Sequence, residues 1–285
     1  MASIIDQAID YARENPGVVA GTCLAVLVIG VTQIVLTTAS TSTSGALTTT
    51  YEEYPLLEKR RVSHNTRIFR FALPSENAKL GLPLGRHISL RTVIDGKEVR
   101  RPYTPISPED CRGYFELMLK IYPAPHGLMS RYLDSLRIGE AVDVRGPLGK
   151  FSYTRNAYRR MNMVCGGTGI TPMWQVFRAI LSDPGDTTEI SLVFANVTED
   201  DVLLRDELDE IARTERRFSV YYVLNNPPSG WDGGVGFVTK DILEDRFGKP
   251  DDHTLVLMCG PPPMNKAMKA IVAEMGYPDS QVFKF

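Results

Sequence analysis

Cysteine is scarce in this 285-residue chain. Cys23, Cys111, Cys165 and Cys259 stand far apart, and no C-x-x-C pair occurs. That spacing excludes a zinc ribbon and a disulfide framework, and four isolated thiols fit a reducing compartment such as the cytosol. An excess of one charge is also missing, with 32 Lys+Arg against 34 Asp+Glu. A chain so balanced is not built to bind nucleic acid by neutralising phosphates. Disorder is excluded in turn, because 43% of the residues are hydrophobic. The 19 prolines and 23 glycines show no period, which points to many turns and a β-rich unit rather than a helical bundle. The length suits one large domain or two ordinary ones.

Charge is absent altogether from Gly17 to Leu36, a run of 20 residues. As a helix at about 1.5 Å per residue it covers about 30 Å, the hydrocarbon thickness of a bilayer. A cleaved secretory signal has a shorter apolar run and a basic leader, whereas Asp6, Asp10 and Glu14 precede this one. We therefore expect a flank (1–16), a retained transmembrane anchor (17–36) and a flexible Ser/Thr-rich spacer (37–50). No Lys or Arg lies between Leu36 and Lys59, so the positive-inside rule has little to orient.

The body begins near Tyr51 and divides in two. From 51 to 153, short β-type runs (His87–Val93, Tyr114–Tyr122, Ala141–Arg145) alternate with Gly/Pro punctuation, predicting an antiparallel barrel or sandwich. After a linker at 154–161, the stretch 162–285 alternates strand and helix. Met161–Cys165, Glu189–Val197, Phe218–Leu224, Val256–Cys259 and Val282–Phe285 read as strands of a parallel sheet. Met173, Val176, Phe177, Ile180 and Leu181 share one helical face, as do Leu204, Leu208 and Ile211; a further helix runs from about Met264 to Met275. The fold class expected is α+β with two domains, ligands lying at the carboxyl ends of the parallel strands.

Gly166-Gly167-Thr168-Gly169-Ile170-Thr171-Pro172 separates the first of those strands from its helix. Such a turn brings backbone close to a phosphate at a helix N-terminus, although a tight structural turn has the same appearance. A second signal, Cys259-Gly260-Pro261-Pro262-Pro263-Met264, ends a later strand of the same sheet, so both loops border one crevice. Cys259 is either a small buried hydrophobe or a soft wall against a planar ligand, and no base stands beside it for thiolate chemistry. In the β-rich half lies Arg101-Pro102-Tyr103-Thr104-Pro105. On an extended segment Arg101 and Tyr103 project to one side, a guanidinium for a pyrophosphate and a ring for a flat ligand, with Thr104 facing the other way. Met129-Ser130 opens a helix-like segment to Leu136 whose N–H groups suit another phosphate oxygen.

With RPYTPIS (101–107), GGTGITPM (166–173), FANVTEDDVLLRDEL (194–208) and LMCGPPPM (257–264), the chain resembles the NADH–cytochrome b5 reductase family of ferredoxin reductase-like flavoenzymes, from Tyr51 to Phe285. The anchor and spacer resemble its membrane-bound form. The resemblance implies a β-barrel that binds FAD (51–153) and an α/β domain that binds NADH (162–285). It implies that Arg101, Pro102, Tyr103, Thr104, Lys120, Tyr122, Gly127, Met129, Ser130 and Thr171 surround the flavin. Gly166, Gly167, Thr168, Gly169, Cys259, Gly260, Pro261 and Met264 would line the nicotinamide nucleotide. Thr104 and Cys259 would act at the reacting atoms, and His87 is either a proton route or a satisfied strand histidine.

Two positions depart from the family pattern: Leu128 where a lysine often precedes Met-Ser, and Asn225 where some members place an acid for the adenosine ribose. With no Lys or Arg between Asn225 and Asp232 for a 2′-phosphate, NADH is the expected donor. The implied reaction passes hydride from NADH to FAD and single electrons to cytochrome b5, a small acidic haem protein, in support of lipid or sterol desaturation-type pathways. Lys150, Arg155, Arg159 and Arg160 would steer that partner or merely solvate a face. A monomer is expected, on the cytosolic side of the endoplasmic reticulum or the mitochondrial outer membrane, with no metal. Alternatives are a ferredoxin- or nitrate-reductase-type flavin module with another acceptor, and a non-catalytic membrane-tethered scaffold.

Overall fold

The computed structural model describes residues 45–285. The expected flank, the anchor and the spacer up to residue 44 lie outside the described residues. Among the described residues no helix is long and apolar enough to cross a membrane.

The first lobe is a six-stranded antiparallel sheet of β1 (Glu52–Arg61), β2 (Thr66–Ala72), β3 (His87–Ile94), β4 (Lys97–Tyr103), β5 (Tyr114–Lys120) and β6 (Ala141–Leu148). Helix α1 (Leu128–Ser135) lies between β5 and β6 in sequence. The strand order is β4-β3-β6-β1-β2-β5. The expected barrel is thus a sheet whose outer strands, β4 and β5, pair with β3 and β2 and not with each other. Helix α1 follows β5 in the chain but packs on β4.

Side-chain alternation explains how this sheet serves two cores. Phe115, Leu117 and Leu119 of β5 join Phe69, Phe71, Leu56, Ile88 and Leu90 inside the first lobe. Met118 and its cross-strand partner Ile68 point the other way, into the core of the second lobe. The β2–β5 pair is therefore a shared wall, buried on both faces. Removing each such side chain from water contributes about 1.5–3 kcal/mol, which holds the lobes as one body.

The second lobe contains β7 (Arg160–Gly166), α2 (Ile170–Ser182), β8 (Glu189–Asn196), α3 (Arg205–Thr214), β9 (Phe218–Leu224), β10 (Gly234–Val235), α4 (Lys240–Phe247), β11 (Thr254–Cys259), α5 (Pro262–Glu274) and β12 (Val282–Lys284). All its strands are parallel, in the order β10-β9-β8-β7-β11-β12. Met161 to Gly166 are all buried, as a central strand covered on both faces requires. One face packs Met163, Phe177, Phe194 and Leu257, and the other Val164, Val193, Phe247 and Val256. The chain winds outward from β7 to β10 and then returns to place β11 on the other side of β7. That reversal makes the carboxyl ends of β7 and β11 the topological switch point, where open parallel sheets bind their ligands.

Candidate functional site

Both loops expected to border the crevice leave these two strands. Cys165 and Cys259 are register partners across β7 and β11. A single turn of tighter helix, Gly167–Gly169, then leads directly into α2. A Cβ on Gly169 would strike the backbone carbonyl of Cys259, so only glycine lets the loops close on each other. The Met264 thioether fills the same junction, lying 2.6 Å from where a Cβ on Gly166 would stand and 2.8 Å from one on Gly260. Gly167 is different: its φ is +55° and nothing lies within 4 Å of its missing side chain. Of the glycines in this turn, Gly167 is the one open toward a ligand, beside the half-buried Thr168.

Thr171 is buried, and its hydroxyl donates to the Thr168 carbonyl at 3.1 Å, closing the entry to α2. On the facing loop, Pro261 precedes Pro262 at the first position of α5, where a missing N–H costs nothing. Cys259 is partly exposed, and burial pushes its thiol up to about 11. Cys165 is fully buried, and burial raises its thiol well above the ordinary range, with Cys259 adding to the shift. Both sulfurs are neutral thiols at physiological pH, which excludes a resting thiolate nucleophile and suits an apolar wall.

The other half-site gathers along the gap between β4 and β5. Arg101 and Tyr103 stand opposite Leu90 and Ile88 of β3, two residues apart and on one face. Among the described residues the Arg101 guanidinium bonds only the Arg100 carbonyl, at 2.7 Å, and no carboxylate lies within ion-pair distance. Pro102 donates no N–H on this outer strand, where none is needed. Burial pushes the Tyr103 hydroxyl up to about 12, against the pull of Arg101 and with a small push from Tyr122. Thr104, half-buried, follows β4 directly.

Gly127, with φ 65°, caps α1. Met129 is buried in the first lobe's core and plays a packing part. The buried Ser130 hydroxyl donates to the Gly127 carbonyl at 3.0 Å and accepts from the Tyr122 N–H at 3.2 Å. It fastens the turn between β5 and α1, which leaves the backbone N–H groups of α1 as the donors for a phosphate. His87 opens β3 and is half-buried, with Gly149 against its ring. Burial, assisted by the charge of Arg86, lowers its pKa, so the imidazole is neutral at pH 7.

Sequence spacing missed the groups that join the halves. The Lys120 ammonium, expected near the cofactor, pairs with Asp201 at 2.7 Å, their side chains 11% and 9% exposed. Asp201 also accepts from the Thr198 hydroxyl at 2.9 Å and from the Asn65 amide at 3.4 Å. Burial disfavours its charge, but hydrogen bonds from Lys120 and Thr198 outweigh that and hold the carboxyl down to about 2. The Trp174 indole donates to the Ile106 carbonyl at 3.2 Å, and the Gly85 N–H donates to the Gln175 amide oxygen at 2.8 Å.

At the far end of the crevice, Asn225 donates to the Gly236 carbonyl at 2.9 Å, and Phe237, next in the chain, is 82% exposed. A phenylalanine directly after a glycine in a loop was the available signal for that exposed apolar side chain. Arg205, a cation 20 positions before Asn225 in the chain, lies over the Tyr222 ring, 4.0 Å from its centre. It is paired with Asp209 at 2.7 Å and approached by Glu199 at 3.8 Å, so its charge is already answered. Three expected steering residues are similarly engaged: Arg155 with Asp183, Arg159 with Asp251, and Arg160 with Glu189 and the Phe247 carbonyl.

Residues 53–153 match the family model for an oxidoreductase FAD-binding domain, and 163–270 match that for an oxidoreductase NAD-binding domain. The chain is 57% identical over 235 residues to NADH-cytochrome b5 reductase 1 of Dictyostelium discoideum, covering 82% of each protein. The chain belongs to the NADH–cytochrome b5 reductase family. A relative of the same name from Meyerozyma guilliermondii is 47% identical over 270 residues, 94% of each chain. Among solved structures, the cytochrome b5 reductase domain of Ulva prolifera nitrate reductase superposes with a TM-score of 0.81 at 37% identity, covering 85% of this chain and all of that one. The protein is thus a flavoprotein oxidoreductase of the cytochrome b5 reductase type, with FAD- and NAD-binding domains. The residues present fit FAD, since a guanidinium with no carboxylate partner among the described residues and a half-buried tyrosine stand together at the end of β4.

Proposed function

We propose that this family member is a membrane-anchored monomer that takes electrons from NADH and delivers them singly to cytochrome b5 in the cytosol, on the endoplasmic reticulum or the mitochondrial outer membrane, for lipid or sterol desaturation-type pathways. The observation that carries the site assignment is the joining of its halves. The arginine–tyrosine strand end and the switch-point glycine turn are tied by the Trp174–Ile106 hydrogen bond. The 20-residue uncharged run supports the anchor, and its 14-residue spacer supports a tether long enough to reach a partner in the same membrane. Asn196, in the sequon Asn196-Val197-Thr198, is 6% exposed, which favours a side of the membrane where no glycan is added.

When bound, FAD accepts two electrons from NADH and releases them one at a time. The chain's own residues do the rest. Arg101 and the N–H groups of α1 would hold the pyrophosphate, Tyr103 and Tyr122 would supply rings for the flavin, and Thr104 would offer it a hydroxyl. Gly167 and Thr168 receive the dinucleotide phosphates, while Cys259, Gly260, Pro261 and Met264 form the wall that orients the nicotinamide and keeps water out. Neutral Asn225 offers no charge to a 2′-phosphate, and the Arg205 guanidinium is already ion-paired with Asp209 and Glu199, which favours NADH over NADPH.

The test is cytochrome b5 reduction by the full chain with each donor, together with flotation on liposomes. NADH-driven reduction, and vesicle binding that is lost when residues 1–44 are deleted, are expected. Preference for NADPH would overturn the donor, and equal flotation of both chains would overturn the anchor.

A further inference from the structure

The contacts that join the lobes are not spread evenly, and two come from adjacent residues one turn into α2. Trp174 is 6% exposed, and its indole N–H reaches the carbonyl of Ile106, two residues beyond Thr104. Gln175 presents its amide oxygen to the N–H of Gly85, two residues before His87. The Lys120–Asp201 pair is a third contact, from the end of β5 to the turn after β8. Three separate points fix the orientation of one rigid body on another, whereas a hydrophobic seam alone permits sliding. Trp174 lies five residues after Gly169, about 7 Å along the helix axis. A shift at this helix face therefore carries over to the glycine turn with little attenuation.

We propose that Trp174 and Gln175 are positioning residues: their paired hydrogen bonds to Ile106 and Gly85 set the distance between the nicotinamide-binding turn and the flavin-binding strand. This rests on the NADH-to-flavin reading above. Neither residue touches the reacting groups. Each acts through the backbone segment it holds, the indole through Ile106 and the strand end at Thr104, the amide through Gly85 and the entry to β3. Ile106 is fixed on its other side, since its N–H donates to the Glu116 carbonyl at 2.9 Å. The indole is fixed as well, set edge-on to Phe177 at 5.5 Å and covered by the Arg178 guanidinium at 5.0 Å. The contact thus joins two immobilised groups, as a spacer must.

The experiment uses the FAD-loaded full chain and two readouts, the rate at which NADH reduces the flavin in a single turnover and amide exchange at Gly85. Gln175→Leu removes the acceptor and Gln175→Glu keeps one. Trp174→Phe keeps an aromatic ring and removes the N–H. A displacement of about 1 Å at reacting atoms costs up to about 100-fold in rate. We expect Gln175→Leu and Trp174→Phe to retain flavin and to hold KM for NADH within about twofold, while flavin reduction slows by about tenfold. Gly85 exchange should accelerate in Gln175→Leu, and Gln175→Glu should restore both the rate and the protection. Flavin reduction at the wild-type rate in Gln175→Leu overturns the proposal, as does equal slowing in Gln175→Leu and Gln175→Glu. If Trp174→Phe does not fold, the two Gln175 variants decide alone. Failure of the wild-type flavoprotein to accept electrons from NADH would instead overturn the parent reading.

Discussion

Replacing Asp201 with asparagine removes one charge from the buried pair with Lys120 and leaves the amide nearly isosteric. The carboxyl sits at about 2 in the folded protein against an ordinary 3.8, a difference of just under two pH units. At about 1.4 kcal/mol per unit, its ionised form contributes about 2 kcal/mol to folding at pH 7. Because the folded value is depressed, that contribution is complete above about pH 4 and disappears as pH falls through 2. About half of it survives at pH 3. Asp201→Asn should therefore lower the melting temperature of the FAD-loaded protein at pH 7 by about 4–8 °C, taking about 2–4 °C per kcal/mol for a body of this size. The gap between variant and wild type should narrow as pH drops from 4 to 3. Differential scanning fluorimetry across pH 3–8 reads both effects. A gap that is absent at pH 7, or that stays constant down to pH 3, would refute the assignment of this stability to the Lys120–Asp201 contact.

Other expectations follow from the two half-sites. Arg101→Ala should release FAD into the filtrate on ultrafiltration, with affinity down at least about tenfold for a lost charge-assisted contact of about 1.5–3 kcal/mol; full flavin retention would refute the pyrophosphate role. Cys259→Ala should slow flavin reduction by NADH more than it raises the Kd for NADH, and an unchanged turnover rate in stopped-flow measurements would remove Cys259 from the reacting geometry. Gly169→Ala drives a methyl into the Cys259 carbonyl and should cost about 1–3 kcal/mol in denaturant unfolding. A midpoint equal to wild type would show that the two loops are not in contact.

The second lobe was legible because its central strands are continuous apolar runs. Met161–Cys165 and Val256–Cys259 are strands buried on both faces, and the glycine and proline signals after them mark sharp backbone events that composition reveals. Strand β1 escaped because its sequence, EEYPLLEKRR, buries only Tyr54 and Leu56 and shows charge to solvent elsewhere. Helix α4 escaped because Leu243 and Phe247 are its only buried side chains, too few to show a period. Within the site, residue types announced Arg101, Tyr103 and the two loops. They gave no hint that Lys120 would meet Asp201, 81 positions away, or that Trp174 would meet Ile106, since spacing along the chain says nothing about pairs brought together by a sheet. Ser130 shows the converse: its identity suggested a ligand, but its hydroxyl is spent within its own turn.

The unpaired outer strands β4 and β5 carry a cost that appears only when the flavin is lost. On the proposed reading, a prosthetic group held beside them would cover amide and carbonyl groups that otherwise invite a neighbouring molecule to add a strand. Flavin depletion during purification should thus yield not a colourless soluble enzyme but a sticky one that self-associates edge to edge. Supplying excess FAD throughout preparation protects solubility as well as activity, because ligand bound to the native form draws the population away from the exposed state.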